Sequence, residues 1–270
     1  MKIIYVGVIV VILTVGILSA AQPSSESFGK KYDGTKGTVT IWFDHCYNSQ
    51  IPAINSMTSD GFIGGILVVV QKANKDGYCT WNQIHSFNKQ GWEIISHSED
   101  HKRATPQTTQ KQLAYEIIQS KIDLQNQGFN VIIYESPYTA ITSASTTMIG
   151  QNYKASQVPG CEQNTLTSIK NDGNNPALGY NFPKGFPVLH HCGIGVSGSP
   201  LNTFDQVKAQ IDSAIIHKTW ILVNFHQIDN SPAAYHTPPA LFTKVLNYIK
   251  QQSDAGKLQF VRPDVGLGIS

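Results

Sequence analysis

The sequence predicts an α/β fold, a parallel sheet of about seven strands closed into a (β/α) barrel. Three observations point there. Seven short runs read as strands: Val39 to Phe43, Ile66 to Val70, Trp92 to Ile95, Val131 to Tyr134, Phe186 to Leu189, Trp220 to Phe225 and Leu258 to Val261. Most are nearly continuous apolar stretches, as strands covered on both faces are. Helical stretches with readable ends lie between several of them, and strand–helix alternation argues for a parallel sheet. At 270 residues the chain has the length at which a single barrel, about 250 residues, is the economical closure.

The chain opens on Lys2 and an uncharged run from Ile3 to Ala21, ending in the small residues Ser19, Ala20 and Ala21. A basic start, an apolar middle and a small-residue end have the layout of a secretory signal. The run also approaches the ~20 apolar residues that span a bilayer. Residues 1–21 are therefore expected to be a signal peptide or an N-terminal membrane anchor acting through 3–21. Either places the protein outside the cytoplasm, secreted or held at the membrane. Residues 22–37 contain Pro, Ser, Gly and Lys and read as a polar linker, and 38–270 as one folded domain.

Three helices follow from their ends. Thr105-Pro106 supplies an N-cap and a Pro at the first helical position, Leu113, Ile117 and Leu124 make an apolar stripe, and Gly128 closes it. Thr203 opens a second helix with Phe204, Val207, Ile211 and Ile215 on one face. Thr237-Pro238 opens a third, which carries Leu241, Val245, Leu246 and Ile249 and ends before Gly256. The stretch from Gly150 to Gly185, rich in Asn, Gly and Pro, reads as irregular loops with room for a short helix. No internal repeat is visible.

Composition narrows the function. Hydrophobic residues make up 41% of the chain, enough for a core, while charged residues are only 14% and the net charge is +2. With no clustered basic face, nucleic acid is not an expected partner. A polar, weakly charged surface suits a neutral substrate such as a sugar. Nothing calls for a second subunit, and a monomer is expected. Of the four cysteines, Cys46, Cys79, Cys161 and Cys192, none forms a Cys-x-x-Cys clip, so a structural zinc ribbon is not expected. Outside the cytosol they allow disulfides, in three alternative full pairings.

The chemistry-bearing residues recur at strand ends. Asp44-His45 follows the first predicted strand, His97 the third, Pro137-Tyr138 the fourth, His190-His191 the fifth and His226 the sixth. In a β/α barrel all of these lie on the C-terminal face, where active sites are assembled. His97 and His101 are spaced so that two imidazoles on one helical face can reach one cation. That pair alone is a weak signal; its recurrence with the other strand-end residues strengthens it.

Taken together, these residues resemble the NodB-type polysaccharide deacetylases, grouped as carbohydrate esterase family four. The family's Thr-Phe-Asp-Asp-Gly is similar to Trp42-Phe43-Asp44-His45-Cys46, and its His-Ser/Thr-x-x-His to His97-Ser98-Glu99-Asp100-His101, followed by a helix with Glu116, Leu124 and Gly128. Its Arg-x-Pro-Tyr is echoed by Glu135-Ser136-Pro137-Tyr138, and its apolar strand ending in His by Ile221-Leu222-Val223-Asn224-Phe225-His226. The resemblance implies a distorted, incomplete, TIM-like (β/α) barrel and a divalent cation, zinc or another transition metal. It implies an enzyme that removes N-acetyl groups from an extracellular polysaccharide. Asp44 would be the general base and His226 the general acid, with His97 and His101 as metal ligands. Pro137, Tyr138 and Tyr47 would line the substrate site, with the backbone N–H of Tyr138 offered to the developing oxyanion.

The departures define the open questions. His45 stands where the family carries its second Asp; either its imidazole is the third zinc ligand, a chemically sound donor, or it points away and the site is weak or empty. Glu135 replaces the motif's Arg; near Asp44 it would raise that carboxyl's pKa by like-charge repulsion, or it faces the helices, or it is itself a base. His190 or His191 could compensate for the lost cation. Cys46 narrows the pocket, joins a disulfide or adds a further metal ligand. Trp42, Tyr47, Trp92 and Tyr138 could form a sugar-stacking platform, with Trp42 and Trp92 expected in the core. The rival readings are a catalytically inactive carbohydrate-binding protein on the same barrel, and a hydrolase of O-acetyl esters or non-sugar amides.

Overall fold

The computed structural model describes residues 28–196 and 199–270. The segment 1–21, expected as signal or anchor, and positions 22–27 of the expected linker lie outside them. Residues 28–36 are part of the domain rather than a loose linker. Tyr32 is buried, its N–H donates to Gly266 O at 2.9 Å and its hydroxyl to Lys218 O at 2.9 Å.

The strands are β1 (Gly37–Phe43), β2 (Gly65–Val68), β3 (Glu93–Ser96), β4 (Ile133–Tyr134), β5 (Ala155–Gln157), β6 (Val188–Leu189), β7 (Cys192–Ile194) and β8 (Trp220–Phe225). A small pair, β9 (Gln227–Ile228) and β10 (His236–Thr237), precedes β11 (Leu258–Phe260). All pairings in the main sheet are parallel, in the order β6-β5-β4-β3-β2-β1-β8-β7. β1 pairs with β8 along its length, from Thr38↔Trp220 to Phe43↔Phe225. On its other edge it pairs first with β11 and then with β2. β11 is thus a wedge at the bottom of the barrel. At the far side, β6 pairs with β5 while β7 pairs with β8, and the ladder breaks at His190-His191. This is the distorted, incomplete (β/α) barrel, and the break is where it is incomplete.

Strand parity divides the core. Ile41, Phe43, Ile66, Ile94, Val223 and Phe225 pack in one cluster with the helices. Trp42, Leu67, Ile95, Ile133, Ala155, Leu189 and Leu222 form a second cluster, the barrel interior. Trp42 and Trp92 are both fully buried. β2 can lie against β1 only because residue 64 is glycine, since a Cβ there would fall 1.9 Å from Ile41 O.

Around the sheet run α1 (Ile51–Ser59), α2 (Trp81–Lys89), α3 (Gln110–Ala114), α4 (Ser120–Asn126), α5 (Ser143–Asn152), α6 (Leu166–Asn171), α7 (Phe204–His217), α8 (Pro239–Asp254) and α9 (Pro263–Leu267). The helix expected with Thr105 as its cap begins four residues later, with Thr109 as its cap. Thr109 Oγ1 caps Gln112 N while Gln112 Oε1 accepts from Thr109 N, and this reciprocal box prevails over Thr105-Pro106, which instead builds a turn. α3 passes through a π-turn, Tyr115–Gln119, into α4. The stretch expected to be irregular loops, 150–185, contains a barrel stave, β5, and α6. Thr203 caps α7 as expected, and α8 ends before Gly256. Among the described residues no helix is long and apolar enough to cross a membrane.

Candidate metal centre

The same alternation that sends Trp42 and Leu222 into the barrel continues past the strand ends. Asp44 follows Trp42 by two residues, His97 follows Ile95, Glu135 follows Ile133, and Asn224 and His226 follow Leu222. These side chains come together at the mouth, in a cleft of ≈ 980 Å³.

Turns in three loops, after β1, β3 and β4, bend the backbone to complete the cluster. His45 and Cys46 have φ of 71° and 53°, and His101 and Tyr138 have φ of 68° and 59°, a left-handed conformation that costs an L-residue about 1–3 kcal/mol. It is held by neighbouring contacts. Cys46 is bonded to Cys79, whose N–H donates to Cys46 O at 2.7 Å, and Ser98 Oγ accepts from His101 N at 2.9 Å. The second disulfide joins Cys161 and Cys192 beside the same cleft.

His45, His97 and His101 converge through their Nε2 atoms. His101 Nε2 lies 3.1 Å from that of His45 and 3.0 Å from that of His97. The His97 tautomer is set by Glu135, because Nδ1–H donates to its backbone oxygen at 3.0 Å and its carboxylate contacts the same nitrogen. When the ring is neutral its Nε2 therefore carries the lone pair, the form in which His97 can ligate a metal. Among neutral rings one N–H, on His101 or on His45, can join only two of the three nitrogens, so one of the two close contacts is left without a hydrogen bond. A cation satisfies all three, and ligand bonds of 2.0–2.1 Å at tetrahedral angles would set nitrogens about 3.3 Å apart. The donor set fits zinc. Burial, with the neighbouring His97 adding to it, keeps His45 well below the ordinary imidazole pKa and pushes His101 down to about 3. Both are therefore neutral ligands at physiological pH. Burial would also lower His97, but Glu135 and Asp44 outweigh it and raise its pKa.

Beside the imidazoles, Asp44 Oδ2 lies 3.1 Å from His226 Nε2 and accepts from Asn224 Nδ2 at 2.8 Å. Burial first, then Glu135, push Asp44 up to about 7, against the pull of His97 and the Asn224 hydrogen bond. Burial, with His97 and His191 adding to it, pushes His226 down to about 3. Gln50, fully buried, donates to the carbonyls of Asp44, Phe225 and His226 at 2.7, 3.2 and 2.6 Å, tying the two strand ends together. Asp44 Oδ1 and His226 Nδ1 are buried with no partner among the described residues, so the cleft floor presents an acceptor and a ring nitrogen to a bound group.

No protein-family model matches the sequence, and no curated protein does. Solved structures do. A peptidoglycan N-acetylglucosamine deacetylase in complex with an N-oxidanyl-benzamide aligns over 89% of this chain and 92% of its own, with TM-score 0.56 and 12% identity. The esterase-family domain of a multidomain xylanase from the hindgut metagenome of Trinervitermes trinervoides covers 85% and 88%, with TM-score 0.51 and 14% identity. A peptidoglycan deacetylase from Bacillus subtilis covers 88% and 93%, with TM-score 0.51 and 13% identity. The chain has the NodB-type deacetylase fold.

Within this deacetylase fold the remaining expected residues separate. Glu135 faces His97 rather than the helices. Pro137 is buried and lines a neighbouring cavity, not the cleft, whereas Tyr138 is 51% exposed at the cleft rim. Tyr47 lines the cleft with its hydroxyl 2.6 Å from His45 Nδ1. His191 lines it too, edge-on to Trp42 and lowered in pKa mainly by burial. His190 turns away, its Nε2 2.9 Å from Asp172 Oδ2 and its Nδ1 3.1 Å from Pro159 O. Sequence reasoning missed Asn224 and Gln50. A polar residue inside an apolar strand, two before His226, was the available signal for Asn224; Gln50 carried none.

Proposed function

We propose that this chain is a metal-dependent hydrolase that removes N-acetyl groups from an extracellular polysaccharide. The observation that carries the proposal is the convergence of three imidazole Nε2 atoms beside the Asp44–His226 pair at the mouth of a deacetylase-type barrel. A divalent cation, best zinc, held by His45, His97 and His101 would supply polarisation of the amide carbonyl and a more acidic water. Asp44, with a pKa near 7, suits a general base that accepts the proton of the attacking water. Its 3.1 Å contact with His226 lets that proton pass to the imidazole and on to the departing amine nitrogen. Tyr138, at its strand end, offers a backbone N–H to the carbonyl oxygen. Tyr47 and Tyr138 give ring surface for a sugar.

The apolar run at 3–21 and two disulfides fit an oxidising compartment, with the protein secreted or anchored, acting as a monomer. Purified protein loaded with zinc is expected to release acetate from N-acetylglucosamine oligomers, and Asp44→Asn to lower turnover by about 10²–10⁴-fold while glycan binding persists. Failure to bind metal after reconstitution, together with no acetate, would sink the proposal.

A second reading, an inactive carbohydrate-binding protein, is favoured by one observation: burial pushes the pKa of His226, the expected acid, down to about 3, so its ring holds no extra proton at neutral pH to give to a leaving group. The Asp44→Asn comparison separates the two, since a pure binder has no turnover to lose. O-acetyl esters and non-sugar amides offered to the wild type test the remaining alternatives.

A further inference from the structure

The walls of the cleft differ in charge. On the side built by the loops after β2 and β3 stand Lys72, Lys102 and Arg103; on the opposite side Val196, Ser199, Pro200, Gln227, Ala234 and Tyr235 carry none. The carboxylates Asp44 and Glu135 are buried at 4% and 2% exposure and belong to the metal centre. Asp100 is the remaining acid of the cleft, and Lys102 sits 3.3 Å from it. Among the described residues, Lys72 and Arg103 have no carboxylate at ion-pair distance. Each lies over a ring of the same rim, Lys72 over Tyr78 at 5.8 Å and Arg103 over Tyr138 at 4.5 Å. Lys102 and Arg103 also wall the neighbouring ≈ 490 Å³ cavity together with Lys111. There the carboxylate of Glu116 is taken up by the backbone N–H groups of Asp100 and Lys102 at 3.2 and 3.5 Å. The cationic side of the cleft therefore continues into the neighbouring cavity.

We infer that the substrate is an anionic glycan, with a carboxylate- or phosphate-bearing residue next to the N-acetylated sugar. Its charge meets Lys72 and Arg103, which are held at the rim over the rings of Tyr78 and Tyr138. The inference rests on the deacetylase reading of the cleft but concerns binding, which can be measured without turnover.

The test is equilibrium binding of three tetrasaccharides to the zinc-loaded protein: neutral N-acetylglucosamine, one alternating N-acetylglucosamine with glucuronic acid, and one carrying phosphate monoesters. At least one anionic probe is expected to bind about tenfold tighter than the neutral one at ~0.05 M salt, with the gap closing to about twofold at ~0.5 M as the charges are screened. Whichever anion wins names the substituent. The double substitution Lys72→Gln with Arg103→Gln is expected to remove the preference, a circular-dichroism spectrum confirming that the variant is folded. Equal binding of all three, binding of none, or a preference untouched by salt overturns the inference. An anionic preference without acetate release leaves it standing and counts against the hydrolase reading alone.

Discussion

His97 Nδ1 rests on Glu135: the backbone oxygen accepts at 3.0 Å and the carboxylate Oε2 contacts the same nitrogen, both side chains being at most 3% exposed. A carboxylate behind an imidazole fixes its tautomer and raises the basicity of the far nitrogen, and losing such a partner typically costs 10–100-fold in metal affinity. Glu135→Gln keeps the shape and removes the charge. Zinc affinity measured by competition with a chelator is expected to fall by about 10-fold or more. An unchanged affinity would mean that Glu135 does not position His97.

Glu135 and Asn224 act on Asp44 with opposite sign, and pH profiles should show it. Asp44 must be ionised to accept a proton, so activity falls as pH drops through its pKa. Glu135 raises that pKa and Asn224 lowers it. Glu135→Gln should therefore move the acid limb of kcat/KM toward lower pH, and Asn224→Ala should move it higher. Loss of a hydrogen bond to a charged group suggests about 1.5–3 kcal/mol for the Asn224 change, or about one to two pH units. Shifts in the same direction for both variants would contradict the arrangement.

The Cys46–Cys79 bridge closes a separation of 33 residues and holds Cys46 directly beside His45. Chain entropy at that loop length assigns it about 3–4 kcal/mol of stability. Cys46→Ser with Cys79→Ser should lower the urea midpoint accordingly. Because His45 sits in the left-handed region next to the bridge, zinc affinity should fall in the same variant even where the domain remains folded. Full stability with full affinity would remove the bridge from any role in the site.

Legibility in the sequence tracked how far each element depends on its own residues. β8 was readable because six apolar-rich positions, Trp220–Phe225, all lie in the core. β5 was not, since Ala155–Gln157 is short and polar, with Ser156 Oγ donating to Tyr134 O at 2.7 Å, an acceptor that exists only once the sheet has formed. Asp44, His97 and His226 were visible because they occupy the positions just after strands, and His101 through its spacing from His97, although the segment that carries the pair is a turn with His101 at φ 68° and not the expected helical face. His190 and His191 could not be told apart, because strand alternation sends neighbours to opposite sides and the break between β6 and β7 sets which one faces the cleft. Gln50 escaped because its partners are backbone carbonyls, two of them about 175 residues away, which have no signature in the chain.

At the opposite end of the barrel, Glu93 Oε2 accepts from Asp264 N at 3.0 Å, while Arg262 holds the Asp264 carboxylate through two bonds of 2.7 and 2.8 Å. Burial first, and then the Asp264 charge, raise Glu93 well above its ordinary pKa. A raised folded-state pKa means the native protein binds this proton more tightly than the unfolded chain does. The resulting stability is fully present below the unfolded carboxyl pKa and is lost as pH climbs through the folded value. Glu93→Gln keeps a donor toward Asp264 and removes the titration. The variant should melt close to wild type near about pH 4, and increasingly above it as pH rises toward about 9. A Tm difference that stays constant with pH, or that runs the other way, would show that Glu93 is ionised in the folded protein.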